Sequence, residues 1–176
     1  MIESVAEKLA VRIKQANEEE TASVAVMKFA LIYVINFVIP LFIACMIGLA
    51  TESWAETVFS ICVYIPLRMM SGGYHLTAPV PCMLLTTAVM SVPPHIALSN
   101  NWTLILTVIS LVIFALLAPV NMRGYNTMPE KYYPLLKAVA VLIIASNFLI
   151  LSPTASLVFA IQGSSLFFRN KEVNKP

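Results

Sequence analysis

Two side chains in this sequence are matched to covalent chemistry: His75 and, seven residues on, Cys82. They lie in one short polar break, Arg68-Met-Met-Ser-Gly-Gly-Tyr-His75 followed by Leu76-Thr-Ala-Pro-Val-Pro-Cys82. A thiol becomes a strong nucleophile as the thiolate, and imidazole is the side chain best suited to remove its proton near neutral pH. Proline is favoured at the first helical position, so Pro81 is expected to open a helix with Cys82 in its first turn. Unsatisfied backbone N–H groups and the helix dipole stabilise a thiolate there. A nearby His75 adds to that effect and is placed to protonate a leaving amine afterwards. Desolvation at a membrane boundary opposes charge. The helix end and the imidazole are expected to prevail where the loop admits water.

The neighbours of the pair have readable roles. Ser71-Gly72-Gly73 offers positive φ, which lets the chain fold back and aim His75 at Cys82. Exposed N–H groups of Gly72 and Gly73 are candidate oxyanion donors. Arg68 is a candidate to pair with a substrate carboxylate or to orient the loop, or it is a snorkelling topology anchor. Tyr74 reads as an interfacial aromatic. Cys62 lies six residues before Arg68, about 9 Å deeper along a helix, where a thiol is expected to be inert packing. Cys45 is expected to be buried in the outer half of the first span. His95, thirteen residues beyond Cys82, falls close to 20 Å away towards the outer face and reads as an interfacial or packing histidine behind Pro93-Pro94.

The elements that must position these groups are membrane helices. The 176 residues are 59% apolar and 11% charged, with a mean hydropathy of +0.84. Soluble domains carry about 25% charged residues, so an integral membrane protein is expected. Crossing a bilayer takes about 20 apolar residues, and six runs qualify: 29–50, 54–70, 82–98, 103–120, 137–152 and 154–168. Several are short or proline-interrupted, which predicts tilting or local thinning. The connections 51–53, 99–102 and 152–154 hold no Lys or Arg, whereas Lys8, Arg12, Lys14, Lys28, Arg68, Arg123, Lys131, Lys137, Arg169, Lys171 and Lys175 all fall on the other side. The positive-inside rule then puts both termini, and the break holding His75, in the cytoplasm. The predicted fold is all-α: a polytopic bundle of about six spans forming one domain over 1–176. Residues 1–22 form an amphipathic helix and connector, 23–168 the bundle, and 169–176 a tail.

Before the first span, Ile2, Val5, Leu9, Ile13 and Ala16 recur at helical spacing between charged residues. This predicts a helix lying on the inner leaflet or packed on the cytoplasmic face of the bundle. Glu18, Glu19 and Glu20 read as a solvated connector. No cleavable signal peptide is evident in the first twenty residues. The formal charge of +2 comes without a basic run, so nucleic acid is not an expected partner. The chain has no aspartate and two histidines, which excludes an Asp-oriented triad and leaves a zincin-type metal site unsupported. The three cysteines show no C-x-x-C spacing, so reduced thiols are expected instead of a disulfide framework. Neither a metal nor an organic cofactor is called for.

The order Arg68…Gly72-Gly73-Tyr74-His75…Cys82, at the break between the second and third spans, resembles the AgrB family of quorum-sensing membrane endopeptidases. Chain length, topology and the amphipathic N-terminal segment agree with that family over nearly the whole sequence. Ala118-Pro119-Val120, leading into a basic loop, is also similar to it. The resemblance implies a catalytic dyad of His75 and Cys82, supported by Arg68, Gly72 and Gly73. It implies an AgrD-type precursor peptide as substrate, cleaved through a Cys82 thioester and cyclised to a thiolactone or lactone. It further implies a homodimer in a bacterial, Gram-positive cell membrane. The basic loop residues Arg123, Lys131 and Lys137 either attract an acidic precursor tail or are solvated topology charges. Two readings from other classes are a peptide exporter and a non-catalytic membrane scaffold. An exporter would be expected to show repeat symmetry and buried midplane charges, and neither is visible.

Overall fold

The computed structural model describes residues 2–74, 76, 78–122 and 129–169. His75, Arg123 and the tail beyond Arg169, singled out above, lie outside the described residues. The rest is helical: α1 (Ile2–Ala16), α2 (Val24–Ala50), α3 (Trp54–Ser71), α4 (Pro79–Ser91), α5 (Asn100–Leu117), α6 (Tyr133–Ala145), α7 (Asn147–Ile150) and α8 (Pro153–Ser164). Short 3-10 turns occupy Pro93–His95, Glu130–Tyr132 and Ser165–Phe167. Among the described residues there is no strand, and Gly72 and Val120 form an isolated parallel bridge.

Local sequence explains where these helices stop. Proline at the first or second position opens α6 and α8, where its missing N–H costs nothing. The Ser152 hydroxyl caps α8 by accepting from Ala155 N–H at 3.2 Å. Pro93-Pro94 follows α4 and turns the chain into a 3-10 turn. The Ala118–Pro119 step, with a cis peptide, follows the end of α5.

Among the described residues, three segments are long and apolar enough to cross a membrane: Val24–Ala50, Asn100–Leu117 and Glu130–Ile150. They answer to the first, fourth and fifth expected spans. The expected runs 82–98 and 154–168 contain helices of only 13 and 12 residues, α4 and α8. At 1.5 Å per residue these reach about 20 and 18 Å, short of the roughly 30 Å hydrocarbon core. Prolines and polar residues at their ends are the physical reason.

The chain separates into two compact units, residues 1–43 with 76–87 and residues 44–75 with 88–176. In the first unit α1 buries Ala6 and Ala10. Its larger apolar residues point elsewhere, with Val5, Leu9 and Ile13 exposed by 56%, 42% and 38%. Lys28, near the start of α2, donates to Glu7 of α1 at 2.7 Å. That bond and the nearby positive charge hold the Glu7 carboxyl below its ordinary range.

In the second unit α5 packs against α8 and α6, and α3 packs on the same two helices. The apolar core joins Leu67, Phe114, Ala140, Ile144, Ala155 and Phe159. Polar positions also point inward: Thr103, Thr107 and Ser110 of α5 are buried, while Leu116 and Leu149 are exposed. Small hydroxyl residues inside and large apolar ones outside is the pattern of helices packed in lipid. Buried Asn147 donates to Thr107 Oγ1 at 2.9 Å and accepts from Ser152 N–H at 2.9 Å, tying the α7–α8 turn to α5.

The second unit also sorts its connections between two ends. At one end His95 Nε2 lies 3.4 Å from Thr51 Oγ1 and 3.5 Å from Ser53 Oγ. At the other, residues 71–74 meet Val120 and Ser165.

Candidate active site

The first candidate segment begins where α3 ends. α3 buries Thr57, Ser60, Ile61, Tyr64, Leu67 and Ser71 along one face, a spacing of three and four residues that brings Arg68 to the same end. The helix stops at Gly72, whose φ is +66°, and Gly73 follows at φ +121°. L side chains rarely adopt either conformation. A Cβ at Gly72 would meet the Val120 carbonyl oxygen, and one at Gly73 would meet Arg68 Nη1 and Ser165 Oγ. Both glycines are therefore required by backbone conformation and by close approach.

Backbone bonds then secure the segment. Gly72 N–H donates to Arg68 O at 3.1 Å, Gly73 N–H to Val120 O at 3.0 Å and Tyr74 N–H to Ser165 O at 3.1 Å. Val120 N–H returns a bond to Ser71 O at 3.0 Å. The expectation of free glycine oxyanion donors is thus not met, because both N–H groups are engaged within the fold.

Arg68 lies across this segment. Its Nη2 donates to Tyr74 O at 2.6 Å, and its Nη1 approaches Ser165 Oγ at 3.2 Å and Gln162 Oε1 at 3.4 Å. Gln162 Nε2 donates in turn to Gly72 O at 2.7 Å and Ser71 Oγ at 3.1 Å. Of the readings open to Arg68, its observed partners are those of a group that orients the loop. Tyr74 also stacks obliquely on Phe168, with ring centroids 5.9 Å apart. Asn121 Nδ2 donates to Phe168 O at 2.9 Å, so the segments after α5 and α8 are joined as well.

Cys82 belongs to the other unit and is described by its own helix. α4 starts at Pro79, two residues before the expected Pro81, so Cys82 is its fourth residue and lies in the first turn. Both prolines occupy positions whose N–H groups would lack helical partners anyway. The thiol is free and partly buried. The structure therefore brings Arg68, Gly72, Gly73 and Tyr74 together, describes Cys82 separately, and leaves His75 outside the described residues.

Two expectations for the remaining thiols are corrected. Cys62 is exposed instead of packed, and Cys45 is only partly buried. Cys62 follows buried Ile61 by one residue, and a helix turns about 100° per residue, which carries it off the buried face of α3. His95 is exposed beside Thr51 and Ser53, as an interfacial histidine would be. Among the described residues no group of three or more His, Cys, Asp or Glu is placed to hold a metal ion.

Gln162 and Ser165 were not among the residues singled out in the sequence. The available signal was a lone glutamine followed by Ser164-Ser165 at the end of an otherwise apolar run.

Comparison with known proteins bears on the same residues. The family model for accessory gene regulator B, AgrB, matches residues 3–168. A protein named only as AgrB-like from Halalkalibacterium halodurans is 30% identical over 111 residues, 62% of this chain and 56% of the relative. An AgrB-like protein from Listeria welshimeri is 29% identical over 154 residues, 84% of this chain and 70% of the relative. The chain thus spans a little over half the length of the first relative. No solved structure matches.

Proposed function

The chain belongs to the accessory gene regulator B family, and from that membership we propose that it is a membrane cysteine endopeptidase that matures a quorum-sensing peptide. The observation that carries the reading is a family match running through the whole Arg68…Cys82 motif. The first-turn position of Cys82 and the tied Arg68–Tyr74 segment support it.

In this reading His75 takes the Cys82 thiol proton, and Sγ attacks a backbone carbonyl carbon of an AgrD-type precursor. The C–N bond breaks as the imidazolium returns its proton to the leaving amine, which releases the precursor's C-terminal tail. The remaining peptide is held as a Cys82 thioester. A cysteine within it, or a serine, gives its proton to His75 and attacks that carbonyl; the C–S bond to Cys82 breaks, and Cys82 departs as a thiolate beside the imidazolium. The product is a thiolactone or a lactone. Thiol-for-thiol exchange is nearly isoenergetic, and a tethered nucleophile acts at high effective molarity, so closure outruns hydrolysis. Limited water at the membrane boundary favours the same outcome. Arg68, Gly72 and Gly73 support the segment that leads to His75.

The protein is a membrane protein, and the proposal extends to six spans in one domain with both termini cytoplasmic. Supporting this, the second unit gathers 51–53 with His95 at one end and 71–74 with Val120 and Ser165 at the other. Those are the two groups that the distribution of Lys and Arg separates. The exposed Val5, Leu9 and Ile13 stripe of α1 is assigned to the inner leaflet. Family resemblance adds a homodimer and a Gram-positive cell membrane.

The test is reconstitution in liposomes with an AgrD-type precursor, comparing wild type with Cys82→Ala and His75→Ala by mass spectrometry. A released tail and a product one water lighter than the linear fragment, in wild type alone, are expected. Cleavage in both variants would sink the proposal. Peptide transport without cleavage would favour the exporter.

A further inference from the structure

We propose that Gln162 is a positioning residue for this reaction, holding the Ser71–Tyr74 segment from which His75 follows directly in the chain. The inference rests on the endopeptidase reading and deepens it, because the Arg68…Cys82 motif that carries that reading does not include Gln162.

Gln162 stands in the last turns of α8 and is 2% exposed. A buried primary amide is costly unless its donors and acceptor are used, and here both functions are directed to one target. Its Nε2 donates to Gly72 O at 2.7 Å and Ser71 Oγ at 3.1 Å, while Oε1 faces Arg68 Nη1 at 3.4 Å. Arg68, steadied from that side and by Ser165 Oγ at 3.2 Å, donates its other nitrogen to Tyr74 O at 2.6 Å. Ser165 closes the circuit through its backbone, accepting from Tyr74 N–H at 3.1 Å.

Gln162 thus bonds the carbonyl at the helix stop and braces the guanidinium that holds the carbonyl next to His75. A network of buried polar groups gives geometric specificity when every member is satisfied. Glycine pairs need such outside support, since they bring no side chain to fix their own φ and ψ. Leucine at 162 would fill similar volume and remove the bonds to Ser71, Gly72 and Arg68. Glutamate would keep an acceptor for Arg68 but place an oxygen against Gly72 O.

The experiment reads Cys82 alkylation by iodoacetamide in proteoliposomes of the full chain, in a Cys45→Ala, Cys62→Ala background. Rates are followed across pH 5–9 for the background protein, Gln162→Leu, His75→Ala and the double variant. Slowing of tenfold or more at pH 7 is expected for Gln162→Leu, with the profile displaced towards that of His75→Ala. The double variant is expected to match His75→Ala alone, because a residue that acts through His75 has nothing further to lose. Asn147→Leu, which disturbs buried polar bonds elsewhere in the second unit, is expected to leave the profile in place.

A Gln162→Leu profile superimposed on the background, or full additivity with His75→Ala, overturns the inference. If Gln162→Leu does not insert, Ser165→Ala is read in the same way, with slowing of threefold or more expected and no change overturning it. A His75→Ala profile equal to the background would instead bring down the dyad reading itself, which separates the two failures.

Discussion

Arginine at 68 is used as a fork, with one arm on Tyr74 O and the other towards Gln162 and Ser165. Lysine keeps the charge and cannot span those partners. Arg68→Lys is therefore expected to insert normally and to lose tenfold or more in precursor cleavage. Cleavage at the wild-type rate would reduce Arg68 to an anchor. Gly73→Ala should be harsher. Its positive φ alone costs about 1–3 kcal/mol for a residue with a side chain, and the new Cβ would meet Arg68 and Ser165. Loss of cleavage together with a lower melting temperature in detergent is expected, and an unchanged melting temperature would contradict the geometry. The double glycine was legible in the sequence because a residue type announced a backbone need. Gln162 was not, because its meaning depends on Gly72, 90 positions earlier, and no local pattern encodes that approach.

At the scale of the helix, α1 is bound to the start of α2 through Glu7 and Lys28. The Glu7 carboxyl is held low by this bond, so its contribution is present above the ordinary carboxyl range and lost as pH falls through the lowered value. Amide exchange in α1 should therefore quicken at pH 3.5 relative to neutral pH after correction for intrinsic rates. Glu7→Gln should abolish that difference. A difference that survives Glu7→Gln would place the cause elsewhere. The Asn147 bonds between α7, α8 and α5 predict a second effect. Asn147→Leu takes the acceptor from Ser152 N–H and leaves Thr107 Oγ1 with Thr103 O as a partner, at about 1–3 kcal/mol for a buried group left unpaired, and should lower thermal stability. The start of α4 was readable to within two residues because proline acts locally. The lengths of α4 and α8 were not, because apolar residues continue past Pro93-Pro94 after α4 and past Ser164-Ser165 after α8.

For the molecule as a whole, the proposed orientation rests on the placement of Lys and Arg in the sequence. Single cysteines at Ser53 and Asn121, in a background without the native thiols, test this with an impermeant maleimide on intact cells. Labelling of position 53 from outside, and of 121 only after permeabilisation, is expected. Labelling of both from the same side would refute the six-span topology. All-helical, membrane-embedded character was legible from composition, because a chain with 11% charged residues cannot cover itself in water. The division into two compact units was not legible, since α2 and α4 each run through a unit boundary without interruption in their sequence pattern.

The central claim is a covalent one and can be read directly on the protein. A precursor whose ring-closing cysteine is replaced by alanine cannot discharge the thioester by cyclisation. Incubated with the reconstituted protein and quenched in acid, it should leave an adduct equal in mass to the N-terminal fragment less one water. That adduct should map to Cys82 and be released by hydroxylamine. An adduct on Cys45, Cys62 or any other residue, or tail release by Cys82→Ala, would contradict the account.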